Sequence, residues 1–319
     1  MQFRTKIPIL QTDFKIDYNA KIVSLGSCFA VNMAEKFDYF KFENSCNPFG
    51  ILFHPIAIEK LIDSAVSGNQ FTEEDVFFHN ERWHCFDAHS DLSNSSKDEL
   101  IANLNAITTS LKLQLQAASH IIITYGTSWV YRNLESNTIV ANCHKVPQAA
   151  FSKEILSVET IKKSIQNTLD LIQKINPKVN FIFTVSPVRH LKDGFVENQL
   201  SKAHLITAIH QILKSEICNL KSAIYFPSYE IMMDELRDYR FYAEDMIHPN
   251  SVAIDYIWQR FSETSISEES HSIMKEVETI QKGLAHRPFN PNSASHQQFL
   301  SKLNDKMVKL QKQFPQIQF

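Results

Sequence analysis

Glycine is scarce, with six in 319 residues. A residue type used so sparingly is informative wherever it stands, and Gly26, Gly50, Gly126 and Gly194 fall in segments that draw attention for other reasons. The five cysteines, Cys28, Cys46, Cys85, Cys143 and Cys218, are odd in number and widely spread. They contain no C-x-x-C, which excludes a disulfide framework and a zinc ribbon. No run approaches the ~18 apolar residues of a membrane span. Met1 to Lys6 lacks the apolar core of a secretory signal. Basic residues show no excess, with 32 Lys and Arg against 35 Asp and Glu and a net charge of −3, so no nucleic-acid footprint is expected. These absences predict a soluble, cytoplasmic protein with no membrane and no nucleic-acid partner. The 44% hydrophobic content is ample for a sizeable core.

Short apolar runs read as buried strands. Ile22–Leu25 stops at Gly26, Ile121–Tyr125 at Gly126, Phe181–Val185 at Ser186-Pro187, and Ala223–Phe226 at Pro227. Runs without alternation predict a parallel sheet covered on both faces. Helical stripes lie between them: Leu100, Leu104, Ile107, Leu111; Ile161, Ile165, Leu169, Ile172; Leu205, Ile209, Ile212; and Ile254, Ile257, Trp258, Phe261. Strands alternating with helices predict an α/β domain. Val76–His89 and Trp129–Asn142 read as hairpin insertions, the second projecting from the carboxyl edge of the sheet to wall a pocket. Near the end, Ile273, Val277, Ile280 and Leu284, then Leu300, Leu303, Met307, Leu310 and Phe314, form two seams joined by a Pro-containing link. They predict a helical hairpin that docks on the body or pairs with a second copy as a homodimer. The expected division is an α/β domain over residues 1–265 and a helical extension over 266–319.

Two segments carry nucleophilic and basic groups. At Gly26-Ser27-Cys28-Phe29-Ala30 a buried strand turns into a helix. A strand-to-helix turn at the carboxyl edge is where open α/β sheets bind ligands. The helix start can hold an oxyanion and favours a thiolate. The plainer alternative is a Gly turn, a capping Ser and a buried Cys. In Asp245-Met246-Ile247-His248-Pro249-Asn250 the carboxylate can reach Nδ1 of a loop His, leaving Nε2 free as a general base. Arg189 and His190 follow a core strand and reach the same edge; they would anchor substrate, unless Arg189 pairs with Asp193. His144 and His89 are further candidates for substrate contact. His79, His84 and His89 recur at a spacing of five that suits no metal, and neither metal nor cofactor is expected.

A nucleophile after the first strand and a D-x-x-H before the last core helix resembles the layout of SGNH (GDSL-type) esterases. Gly26-Ser27-Cys28-Phe29-Ala30 resembles the signature of the GSCFA family, distant relatives of those hydrolases. Asn47-Pro48-Phe49-Gly50, Thr124-Tyr125-Gly126-Thr127, Val140–Lys145, Ser186–Gly194 and Asp238–Tyr242 are similar to other segments of that family. The resemblance covers roughly residues 20–260. It implies a three-layer α/β/α SGNH-hydrolase-like (flavodoxin-like) sandwich. It also implies an esterase or acyltransferase acting on a small-molecule or carbohydrate O-acyl ester. Ungapped, Cys28 takes the nucleophile position; a shift of one gives it to Ser27. The oxyanion donors implied are the nucleophile's own N–H, that of Gly50, and Ser128 or Asn142, because Ser128 stands where the superfamily has Asn. A catalytically weak ligand-binding module on the same fold is the alternative.

Overall fold

The computed structural model describes residues 5–214 and 222–319; Cys218 therefore lies outside the described residues. Five parallel strands form the central sheet: β1 (Lys21–Gly26), β2 (Glu43–Cys46), β5 (His120–Tyr125), β9 (Asn180–Val185) and β10 (Ala223–Phe226), in the order β10-β9-β5-β1-β2. The order reverses between β1 and β5, and this switch point is where a doubly wound sheet opens a crevice at its carboxyl edge. All four strands expected from apolar runs are present. β2 was missed because Glu-Asn-Ser-Cys carries no apolar pattern; it is an edge strand held by its register with β1, Lys21 to Glu43 through Ser24 to Cys46.

Alternate strand residues feed two cores, as the period of two requires. Val23, Ile121, Ile123, Phe181 and Phe183 pack with α2 (Pro55–Ser67), α3 (Lys97–Ala117), α4 (Val158–Ile175) and α5 (Phe195–Lys214). Ile22, Ile122, Ile182 and Phe226 pack on the opposite face with α1 (Cys28–Tyr39), α7 (Ser251–Ser265), α8 (Glu268–Leu284) and α9 (Ala294–Gln313). The result is the expected α/β/α sandwich. The short turn α6 (Ser228–Glu230) follows β10. Helix starts are set by side-chain caps: Ser96 accepts from the Glu99 N–H, Ser157 from Thr160 and Asn250 from Ala253.

The first insertion is the hairpin of β3 (Val76–His79) and β4 (Arg82–Cys85). The second is larger than expected: β6 (Trp129–Asn133) pairs with β7 (Ile139–Val140) and also with β8 (Phe151–Ile155) in a three-stranded antiparallel sheet. The two C-terminal seams turn inward. Val277, Ile280, Leu303 and Leu310 are buried in the second core, and Gln281 and Gln316 donate to the carbonyls of Tyr39 and Tyr18. Among the described residues no helix is long and apolar enough to cross a membrane, and the four cysteines, Cys28, Cys46, Cys85 and Cys143, are unpaired.

Candidate active site

The turn after β1 is pinned from both sides. Gly26 has φ +135°, and a Cβ there would lie 2.0 Å from the Thr124 carbonyl oxygen, so only glycine lets β1 approach the end of β5 this closely. The Gly26 N–H donates to Asn47 Oδ1 at 2.7 Å, and the Ser27 N–H donates to the Thr124 carbonyl at 3.0 Å. α1 then begins at Cys28. Ser27 occupies the N-cap position with extended backbone, but its hydroxyl makes no cap. It is fully buried, its Oγ has no partner, and its Cβ packs against Gly126. The capping role of the plainer alternative is therefore not seen, and Ser27, the second candidate nucleophile, is buried away from solvent.

Cys28 is half-buried and lines a cavity of about 530 Å³ that also has His248 on its wall. This volume is in the range of small-ligand sites. The N–H groups of Cys28 and Phe29, in the first turn of α1 where no earlier helical carbonyl can take them, act on the sulfur. Burial pushes the thiol pKa up, and the charge of Lys202 and then these N–H groups pull it down by less. The expectation of a resting thiolate is therefore corrected to a thiol that needs a base.

A candidate base, His248, stands on the loop before α7. Asp245 Oδ1 accepts from the N–H of Ile247 at 2.9 Å and of His248 at 3.0 Å, while Oδ2 meets His248 Nδ1 at 2.6 Å. The turn is tight enough to put Met246 at φ +58°. The His248 N–H and ring hold the Asp245 carboxyl down to about 2. The carboxylate thus fixes the ring through Nδ1, and Nε2 makes no hydrogen bond among the described residues. Arg189 secures this loop: its guanidinium lies 4.2 Å from the Tyr242 ring centroid, donates to the Met246 carbonyl, and its backbone N–H donates to Ile247 O at 3.3 Å.

The other expected site residues divide. Asn142 is on the cavity wall; its Oδ1 accepts from the His144 N–H at 2.8 Å and lies 3.4 Å from Ser90 Oγ, which leaves Nδ2 as the donor for the cavity. Arg189 and His190 also line the cavity. Arg189 is committed to the His248 loop rather than to Asp193, whose carboxylate pairs with Lys153 at 2.5 Å. His190 packs edge-on to Phe53 with a buried, unpartnered Nε2, and burial next to Lys202 and His248 lowers its pKa to about 3.

Four expectations are corrected. Gly50 spends its N–H on the Asn47 carbonyl at 2.8 Å, and its φ of +74° serves close packing on His89. Ser128 is fully buried away from the cavity, donating from N–H and Oγ to Ser201. His144 is buried between the Cys85 carbonyl at 2.7 Å and Ser90 Oγ at 3.2 Å, so it positions Asn142 instead of meeting substrate. His89 caps a short turn and pairs with Asp91 at 3.1 Å, off the cavity. Among the described residues no group of three or more His, Cys, Asp or Glu is placed to hold a metal ion.

Sequence reasoning missed Lys202, the one lysine among the largest fully buried side chains of the described residues. Its Nζ donates to the carbonyls of Gly126 and Ser186, each at 2.7 Å, and burial lowers its pKa to about 7. A lysine on a helix reads as solvated, yet this one extends the stripe of Leu205, Ile209 and Ile212 back by three residues, which is the signal that could have found it. His54 was also missed; it caps α2, bonds the Val140 carbonyl at 3.0 Å and lines the cavity.

The family model described as GSCFA family matches residues 21–261, and that of the GSCFA domain protein C-terminal domain matches residues 277–319. No curated protein matches the chain. Among solved structures, a carbohydrate esterase family 3 from Talaromyces cellulolyticus aligns over 81% of this chain and 99% of its own, at 9% identity and a TM-score of 0.36.

Proposed function

We propose that this chain, which belongs to the GSCFA family, is an enzyme that cleaves or transfers an O-acyl group with Cys28 as nucleophile. The observation that carries this is that Cys28 and His248, 220 positions apart in the sequence, face one cavity while Asp245 holds the imidazole by Nδ1. His248 Nε2 takes the Cys28 thiol proton as sulfur bonds to the acyl carbon. The oxyanion meets the N–H groups of Cys28 and Phe29 and the Asn142 amide, each such donor being worth about 3 kcal/mol in acyl transfer. The C–O bond then breaks, the alcohol leaves with the proton from His248, and a Cys28 thioester remains. Water or an acceptor hydroxyl, deprotonated by His248, resolves it. The aromatic wall of Trp129 and Tyr131 suits an acylated sugar.

Turnover of p-nitrophenyl acetate tests the reading. Cys28→Ala and His248→Ala are each expected to abolish it while the fold melts as wild type, and unchanged rates in both would end the proposal. The corrected positions of Gly50 and Ser128, two oxyanion donors short of the superfamily pattern, favour a second reading. In it the cavity binds an acyl ligand without turnover, giving saturable binding and no product.

A further inference from the structure

The pairing of β1 with β2 ends at Ser24 and Cys46. One residue later the chain turns at Asn47, with φ +45°. Asn tolerates this left-handed backbone, but Pro48 pushes the residue before it toward extended conformations. A backbone held against such a preference persists only where several contacts fix it together. Three do so here. The Asn47 N–H donates to the Ser24 carbonyl at 2.9 Å, and the Asn47 carbonyl accepts from the Gly50 N–H at 2.8 Å. Asn47 Oδ1 accepts from the Gly26 N–H at 2.7 Å. This last bond continues the ladder by a side chain where the β2 backbone has turned away. Nδ2 of the same amide is buried and makes no hydrogen bond among the described residues, so the oxygen is the half of the amide in use. Gly26 is the last residue of β1 and stands two before Cys28, where no Cβ fits against Thr124; its carbonyl accepts from the Leu52 N–H at 3.1 Å.

We propose that Asn47 is the positioning residue of the nucleophile turn: its Oδ1 locks the Gly26 N–H and so sets the direction in which the chain leaves β1 and presents Cys28 to the cavity. The proposal rests on Cys28 being the nucleophile of the preceding section. Asn47 is not on the cavity wall, so it acts through Gly26 and not on substrate. It also gives the Gly50 N–H its task, which is to close the Asn47 turn.

Two variants of the full chain test this in steady-state hydrolysis of p-nitrophenyl acetate. Asn47→Gly keeps the left-handed backbone and removes the acceptor. Asn47→Asp keeps both and loses only Nδ2, which bonds nothing. In Asn47→Gly kcat should fall at least tenfold, since a misplacement of about 1 Å costs about 10²-fold in rate. KM should stay within twofold. In Asn47→Asp kcat, taken on the plateau of its pH profile, should stay within threefold of wild type. A folded Asn47→Gly with wild-type kcat overturns the proposal, and so does an Asn47→Asp as slow as Asn47→Gly. Amide hydrogen exchange of the segment 26–29, followed by mass spectrometry, needs no turnover. It should be at least tenfold faster in Asn47→Gly and unchanged in Asn47→Asp; unchanged exchange in Asn47→Gly overturns the proposal. Should neither variant fold, the wild type decides: the segment should exchange as slowly as β5, and exchange at loop rates overturns it. In a wild type without turnover, faster exchange confined to Asn47→Gly rejects the proposed reaction and keeps the lock. Turnover that needs Cys28, with wild-type kcat in Asn47→Gly, does the reverse.

Discussion

Replacing Asp245 by Asn separates the chemical role of the carboxylate from its structural one. Asp245 accepts three hydrogen bonds: Oδ1 takes the N–H groups of Ile247 and His248, and Oδ2 faces His248 Nδ1 at 2.6 Å. An Asn at this position keeps Oδ1 for the two backbone donors, so the turn with its left-handed Met246 survives. The amide NH2 then faces Nδ1 and can only donate. Nδ1 must become the acceptor, and the proton moves to Nε2, the nitrogen that faces the cavity. A protonated Nε2 cannot take the Cys28 proton. The expected loss in kcat is about 10² to 10⁴-fold, as for other carboxylate-oriented histidines forced into the wrong tautomer. The melting temperature should stay at the wild-type value. The assay is steady-state hydrolysis of p-nitrophenyl acetate, with circular dichroism melting alongside. Activity within threefold of wild type would refute the reasoning, because His248 would then work without the tautomer that Asp245 enforces.

Other expectations follow from the same geometry. Asn142→Asp keeps the acceptor that binds the His144 N–H but removes the donor facing the cavity, so kcat should fall about 10²-fold or more with the fold intact; unchanged kcat would remove Asn142 from the oxyanion site. The Lys202 pKa is lowered to about 7 on folding, so above that pH the unfolded chain holds a proton that the folded one does not. Stability of the wild type should therefore rise from about pH 7 to 8.5, by up to ~1.4 kcal/mol per unit, and Lys202→Met should lack this rise in urea midpoints.

The core strands were legible because each is an unbroken apolar run ended by Gly or Pro, and burial on both faces demands that pattern. The edge strand β2 and the amphipathic β8, Phe-Ser-Lys-Glu-Ile, were not, since partial exposure lets polar residues in. Cys28, Asp245 and His248 were singled out by local chemistry taken together with the family resemblance, and the fold brings Cys28 and His248 to one cavity with Asp245 on the imidazole. The oxyanion candidates were less legible. Gly50 and Ser128 sit in the right segments, but whether a backbone N–H points at a cavity or at a neighbouring carbonyl is decided by tertiary packing. His144 shows the same limit: a His beside a site residue can serve it from behind. Lys202 falls on the apolar stripe of α5, three residues before Leu205, but a lysine there reads as the solvated end of the stripe until packing shows it buried.

The central claim, that Cys28 becomes acylated by a substrate whose proton acceptor is His248, is tested most directly by acid-quenching the protein with p-nitrophenyl acetate and mapping the acyl group by tandem mass spectrometry. The account predicts a hydroxylamine-labile thioester on Cys28 in the wild type and none in His248→Ala. An acyl group on Ser27, or no acyl group on either residue during turnover, would contradict it.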